Sequence, residues 1–499
     1  MECKGVELSY AERRFLILPC RFRWVFCQLD ALRHCFPPNL RQYLNELPET
    51  LDETYEQILK GIKKAQKDNA HRLLQCLTVA ARPLRVEELA ELLAFDFQAS
   101  TEGGIPTLKD DWRWDDEEEA VLSTCSSLIA IVPRGRSRVV QFSHFSVKEY
   151  LTSSRLARSQ GDGSRFRIDL EAANTIMAQA CLGTLLRLDE HADDERDDEG
   201  GKGFPLVKYA ARHWAEHARS EKVSSLVRDG MDDLFDISKP HFAAWLRVHD
   251  LDGDWNFFSP VRRHHDGSPL YYAAFCGLYD LAERLIAKHP EQVNAVSGRI
   301  LAPLPAALCE RHFPVADLLY KHGALVDVRG DEGRTPLHAA SLAGHVDIMP
   351  WLLDHGADVN ALQEYQRRTP LHLAAGNSYP EAVQLLLDHN ADINSRNEAG
   401  NTPLCETIFK PISPREEKAV DVVRLLLARG ADPNPCDRNH STLLHQASSH
   451  GWPEVVRLLV SYGAKVDAED EEGMTSFQVA SGKGYHEIAK LLSEHIVVR

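Results

Sequence analysis

The sequence predicts a mainly α-helical chain, in which a helical N-terminal region with one β-hairpin precedes a solenoid of short helical repeats. Three observations predict it. A four-residue pattern recurs through the second half at a near-constant period. A Gly-Ala marker runs in step with it. The first half alternates amphipathic stretches with a single pair of β-branched runs.

The recurring pattern is Thr335-Pro336-Leu337-His338, Thr369-Pro370-Leu371-His372 and Thr402-Pro403-Leu404, with looser copies at Ser268, Ala302, Thr442 and Thr475. The second residue of each copy advances by 34, 33, 34, 33, 40 and 33 positions. The companion marker is Gly323-Ala324, Gly356-Ala357, Asn390-Ala391, Gly430-Ala431 and Gly463-Ala464. Thr caps a helix, and Pro fits its first turn because no N–H is needed there. Small residues such as Ala339-Ala340 and Ala374-Ala375 let neighbouring helices approach closely, and Gly344 and Gly451 suit a left-handed stop. A second apolar helix follows, for example Val455–Val460. Its apolar face is too broad for one unit to bury, so the units must stack. Pro350 is expected inside a second helix, which it should distort. The copy at 401–436 carries about seven extra residues around Pro411–Pro414, expected as a longer loop.

The period and the T-P-L-H signature resemble the ankyrin family over residues 262–499, in about seven copies. The resemblance weakens at Leu301–Cys309, where Pro305 replaces the histidine. It implies that His338, His372 and His445 bond backbone and tie adjacent loops, and do not bind metal. It also implies that the loop tips and the exposed face of each first helix line a partner-binding groove. The candidates on that basis are Asp331, Glu332, Arg334, Leu342, Glu364, Tyr365, Arg367, Asn377, Asn397, Glu398, Arg438 and Asn439. These tips mix both signs of charge and do not announce the partner.

Upstream, Leu47–Tyr55 has the acidic start of a helix, and His71–Ala80 reads as another. Arg82–Leu93 reads as a turn and an amphipathic helix. Leu128–Val132 and Val139–Phe142 flank a tip at Pro133–Arg138, which is a hairpin signal. Three helices followed by a hairpin is winged-helix order. DNA binding is not expected from it, because Arg136 and Arg138 are two charges beside an acidic stretch, Asp110–Glu119. Residues 161–261 read as a helical domain or linker, with helices at Leu170–Leu188, Phe204–Ala218, Val223–Leu234 and Phe242–Val248 and a solvated charge run at Asp189–Glu199.

Three segments here are similar to fungal NACHT proteins of the STAND class of signalling NTPases: the run F-R-W-V-F-C-Q-L-D-A-L-R from Phe22, L-P-E-T-L-D-E-T-Y from Leu47, and R-P-L-R-V-E-E-L-A from Arg82. Phe142–Leu151 resembles a segment of their winged-helix domain, in which a histidine at the place of His144 contacts nucleotide. The resemblance implies the division 1–21 tail, 22–70 end of a NACHT module, 71–160 winged helix, 161–261 helical, and 262–499 repeats. No G-x-x-x-x-G-K-[ST] loop occurs; the Gly-Lys pairs at Gly201 and Gly482 are each followed by Gly. A shortened or misassembled version of the architecture is therefore expected, with no cofactor and with His144 as a helix-start or core histidine. His213-Trp214-Ala215-Glu216-His217 spells a zinc-like H-x-x-E-H, but no third ligand is identifiable and a packed helix is expected.

The net charge of −17 argues against nucleic acid and anionic membranes. Eleven scattered cysteines without a C-x-x-C pair suit a reducing compartment. The short apolar run Phe15–Leu18 is no signal or span. The reading is a cytoplasmic, non-enzymatic protein-binding scaffold or sensor in a STAND-like context. The alternative is a nucleotide-regulated switch whose NTPase core lies in a longer form or a partner chain.

Overall fold

The computed structural model describes residues 50–98, 105–157, 162–188, 204–249, 251, 267–296, 302–408, 416–437 and 440–496. They divide into two compact units, within 1–251 and within 252–499. The expectations for residues 1–49, for the charge run at 189–199 and for the loop around 411–414 lie outside the described residues.

The first unit opens with α1 (Leu51–Gly61), whose Thr50 cap and Glu53 carboxylate satisfy each other's backbone N–H groups at 3.2 and 3.3 Å. Then come α2 (Lys67–Val79), β1 (Leu84–Arg85), α3 (Val86–Leu93), a two-residue pairing of β2 (Phe95–Asp96) with β3 (Thr107–Leu108), and α4 (Glu117–Cys125). The wing is β4 (Ile129–Arg134) antiparallel to β5 (Ser137–Phe142), with Ile131 opposite Val140. Sheet order is β1-β5-β4. Its turn is tighter than expected: the register runs out to Arg134 opposite Ser137, leaving Gly135 and Arg136 as the two turn residues, and Gly135 takes φ 62°, as a glycine-first two-residue turn requires. Pro133 can stay in the ladder because β4 is an edge strand. Two helices close the domain, α5 (Phe145–Thr152) and the short α6 (Ser154–Ala157).

Next come α7 (Leu170–Leu185), α8 (Val207–Ala218), α9 (Glu221–Leu226), α10 (Arg228–Leu234) and α11 (Pro240–Val248). The single helix expected over Val223–Leu234 is two, broken at Val227 (φ −113°, ψ 17°). Packing moves two expected boundaries. Helix α1 belongs to the winged helix and not to a preceding segment ending at 70, since the Tyr55 hydroxyl meets Ser146 Oγ at 2.9 Å and its ring sits 5.5 Å from Tyr150. The cut at 160–161 falls inside one packed unit. Helix α7 packs on α2 and α8, the Ala81 N–H donates to the Tyr209 hydroxyl at 3.1 Å, and the Leu206 N–H donates to the buried Glu91 carboxylate at 2.6 Å. Glu88, fully buried, is held by both Arg82 and Arg85. Such a carboxylate is tolerated inside only because two guanidiniums answer it.

The second unit is a run of helix pairs: α12 (Pro269–Phe275) with α13 (Tyr279–Lys288), α14 (Pro303–Cys309) with α15 (Phe313–Lys321), α16 (Pro336–Ala343) with α17 (Met349–Asp354), and α18 (Pro370–Gly376) with α19 (Pro380–Asp388). It continues with α20 (Pro403–Ile408) and α21 (Glu416–Ala428), α22 (Leu443–His450) and α23 (Pro453–Ser461), then α24 (Ser476–Gly482) and α25 (His486–Ile496). First helices stack on one another, α12 on α14 and α16 through α24 in succession. Thr335 and Thr369 cap α16 and α18, and Gly344 (φ 74°) and Gly451 (φ 73°) stop α16 and α22 in the left-handed conformation. Pro350 does not kink a helix interior. It sits in the first turn of α17, which starts late at Met349 and is six residues long, so the proline shortens the helix.

Candidate partner-binding surface of the repeats

Three histidines join the repeats. The Thr335, Thr369 and Thr442 N–H groups each donate to Nδ1 of His338, His372 and His445 at 3.2 Å. A backbone N–H can only donate, so Nδ1 is the bare nitrogen and Nε2 carries the proton. That Nε2–H donates onward to the next repeat: to the carbonyls of Arg368 at 3.0 Å, Asn401 at 2.9 Å and Met474 at 2.9 Å. All three rings are buried. Burial pushes the His338 imidazole down to about 4 and lowers that of His372. Two later repeats carry another residue at this position. Cys405 occupies the position in α20 and reaches only its own cap, Thr402 Oγ1, at 3.2 Å. Gln478 in α24 receives the Thr475 N–H at 2.8 Å.

A second ladder follows the Gly-Ala marker. Asn294, Asp327, Asn360, Asn394 and Asn434 accept the N–H of Leu325, Asp358, Asp392, Asp432 and Lys465 in the next repeat, at 2.8 to 3.0 Å. Sequence reasoning missed these residues. The signal was present in Asp358-Val359-Asn360, Asp392-Ile393-Asn394 and Asp432-Pro433-Asn434.

These two ladders hold the loop tips. Backbone bonds close the tips at Gly330–Arg334, Gln363–Arg368 and Asn397–Asn401, and further bonds run from tip to tip: Glu364 N–H to Glu332 O at 2.9 Å, and Glu398 N–H to Gln366 O at 3.0 Å. Glu332, Glu364, Tyr365, Arg367 and Glu398 are exposed along this edge, Tyr365 to 69%. Glu332 (φ 62°) and Arg367 (φ 49°) are left-handed, a strained conformation for side chains of this size. Asp331 opens the turn Asp331–Gly333, and the half-buried Arg334 folds back on Glu332. Leu342 is half-buried on α16, and Asn377 is half-buried at the C-terminal cap of α18, where its amide donates to Leu373 O at 2.8 Å. Asn397 is a correction. It is 8% exposed, its Oδ1 accepts the Asn401 N–H at 3.0 Å and its Nδ2 donates to Glu406 at 2.8 Å, so it shapes the tip from within. Glu406 also meets Arg368 at 3.2 Å. Arg438 and Asn439 lie outside the described residues.

Two other sequence candidates resolve into structure. His144 caps α5, with Nδ1 against the Ser146 hydroxyl at 2.6 Å. In the zinc-like pentapeptide, His217 Nδ1 lies 2.9 Å from Asn174 Oδ1, which can only accept, so Nδ1 donates and Nε2 is left to accept the Tyr209 O–H at 2.9 Å. No lone pair of that ring is available to a metal, and burial lowers its pKa to about 4. His213 pairs with Glu216 instead.

A winged-helix domain and a solenoid of ankyrin repeats thus define the class: the second unit is a protein-interaction architecture. Comparisons with known proteins agree. Residues 55–167 match the family described as GPI inositol-deacylase, winged helix domain. Residues 270–363, 305–397, 360–409 and 415–498 match ankyrin repeats. The chain is 35% identical over 297 residues to "Azaphilone pigments biosynthesis cluster protein L" of Monascus ruber, covering 56% of this chain and 61% of that protein. It is 34% identical over 77 residues to "Alpha-latrocrustotoxin-Lt1a" of Latrodectus tredecimguttatus, covering 15% of this chain and 5% of the toxin. The chain therefore spans less than two thirds of either relative. No helix among the described residues is long and apolar enough to cross a membrane.

Proposed function

We propose that the repeats recognise a protein partner through the edge formed by their tips, as a non-enzymatic scaffold or sensor in a STAND-like signalling context. The observation that carries the reading is the tip-to-tip bonding between Glu332, Glu364, Gln366 and Glu398, which fixes Tyr365 and Arg367 outward on an ordered surface. Rigid presentation lowers the ordering cost of binding, and Tyr and Arg are the residue types that dominate interface energetics. The test is affinity capture with the full chain beside a Tyr365→Ala/Arg367→Ala variant of unchanged melting temperature. A partner lost by the variant and regained with the natural chain supports the reading. A partner set identical for both chains removes the tips from the interface.

The same reading holds that the chain works without nucleotide of its own, since His144 already caps α5 with its Nδ1. Calorimetry with ADP and with ATP is expected to give no saturable heat. A micromolar affinity would instead favour the nucleotide-regulated switch.

A further inference from the structure

The first unit carries a surface unrelated to the repeats. Trp112 and Trp114 are 46% and 48% exposed, an unusual state for the largest apolar side chain. They do not sit on a loose loop. Strand β3 pairs with β2, Lys109 N–H donates to Ala94 O at 3.1 Å, and Trp112 N–H donates to Lys109 O at 3.0 Å. Between the two indoles Arg113 turns inward, where its guanidinium meets Glu91 at 2.7 Å and lies 5.6 Å from the Phe204 ring centre. With Arg113 pinned inward, the two neighbouring indoles stay about half exposed.

The surroundings are acidic. Asp111, Asp115, Glu117 and Glu119 are exposed and make no ion pair among the described residues. Next to this ledge is a cavity of about 400 Å³ lined by Leu108, Gly183, Arg187, Asp229, Gly230 and Asp233. Arg187 joins the two features, donating to Leu108 O at 3.2 Å and to Asp110 at 3.1 Å. Its charge is answered by Asp110, so the wall still offers the carboxylate of Asp229.

We infer that this ledge docks a short arginine- or lysine-rich segment of a partner protein. An indole face attracts a cation through its quadrupole, more strongly for tryptophan than for other rings. The unpaired carboxylates complement the same charge and repel acidic partners or phosphates. Apolar stems of Arg or Lys cover the indoles while their heads reach the carboxylates.

The probe is a fluorescein-labelled octapeptide of alternating Arg and Ser, titrated into the full chain by anisotropy at about 0.15 M salt, where exposed long-range attractions are largely screened. Saturable binding is expected, weakened roughly tenfold by Trp112→Ala/Trp114→Ala. Trp112→Phe/Trp114→Phe should keep most of it, and the melting temperature of this variant should move little, because each residue is about half exposed and the replacement keeps an aromatic ring. Glu471→Gln/Glu472→Gln, which removes two charges in the second unit, should leave binding unchanged. The inference is overturned if the natural chain shows no saturable binding, or if the Trp→Ala variant binds as well as the natural chain. It is also overturned if Glu471→Gln/Glu472→Gln weakens binding as much, since net charge alone would then explain the attraction.

Discussion

A histidine whose Nδ1 accepts a backbone N–H cannot take a second proton without losing that bond. This holds at His338 and His372. For His338 the direction of the pH dependence follows. Its folded pKa is held near 4 by burial, against 6.5 for an unperturbed imidazole. Between these values the unfolded chain binds the proton and the folded chain does not, so stability rises with pH across that window. The contribution is fully present above the unfolded value and is lost as pH falls toward 4. Going from pH 7 to pH 5 should cost about 2 kcal/mol through this residue alone. The measurement is the urea midpoint of the repeat transition at both pH values, in the natural chain and in His338→Ala. The substitution itself should cost about 1–3 kcal/mol at pH 7, because a buried N–H and a buried carbonyl lose their partner. It should also flatten the pH dependence; an equally steep slope in the variant would sink the assignment.

At the scale of the element, α20 is the first helix whose histidine position is filled by cysteine between two linked neighbours. His372 reaches the carbonyl before Thr402, and His445 reaches the one before Thr475, but Cys405 bonds only within its own cap. By the same register a histidine at 405 would meet the Ser441 carbonyl. Cys405→His is therefore expected to raise the unfolding midpoint, by about 1 kcal/mol of stability if the link forms. Hydrogen exchange at α20 and α22 should slow; unchanged exchange would show that the link does not form. In the other direction, Gly344→Ala should destabilise by more than about 1 kcal/mol. Its φ of 74° disfavours a side chain, and a Cβ there would approach the Tyr379 ring at 2.6 Å. The helices, their caps and their stops were legible in the sequence because Thr, Pro and Gly act within a few residues of where they stand. What was not legible depends on partners in the next repeat. Asn360 and Asn394 look like ordinary turn residues until the neighbouring N–H is in place. Asn397 reads as a solvent-facing tip residue because its partner, Glu406, lies where the T-P-L-H pattern has already lapsed. Pro350 reads as a helix-interior residue because its own repeat starts that helix late.

For the whole molecule, the consequential fact is that each unit closes its own core. The first gathers Trp214, Trp245, Phe235 and Phe242 into one aromatic cluster, with Trp214 and Trp245 rings 5.7 Å apart and the Trp245 indole N–H donating to Ala211 O at 2.9 Å. The second is stabilised by nearest-neighbour contacts between repeats, supplemented by the two ladders. The winged helix was readable from element order. Its union with α7 and α8 was not, because Tyr209, Pro205 and Leu206 answer residues more than a hundred positions earlier. Independent cores predict independent folding. Residues 262–499 expressed alone should be monomeric in their unfolding, cooperative in urea, and matched in midpoint to the repeat transition of the full chain. The full chain should then show two transitions, one reported by near-UV signals of Trp214 and Trp245 and the other by those of Trp351 and Trp452. A single coincident transition in the full chain, together with an unfolded fragment, would mean that the repeats need the first unit to fold. Within the fragment, exchange should be fastest on the side of the missing link, in α22 to α25, and restoring it with Cys405→His should bring those helices toward the rates of α16 and α18. Slow, uniform exchange across all the helix pairs would show that stacking alone carries the junction.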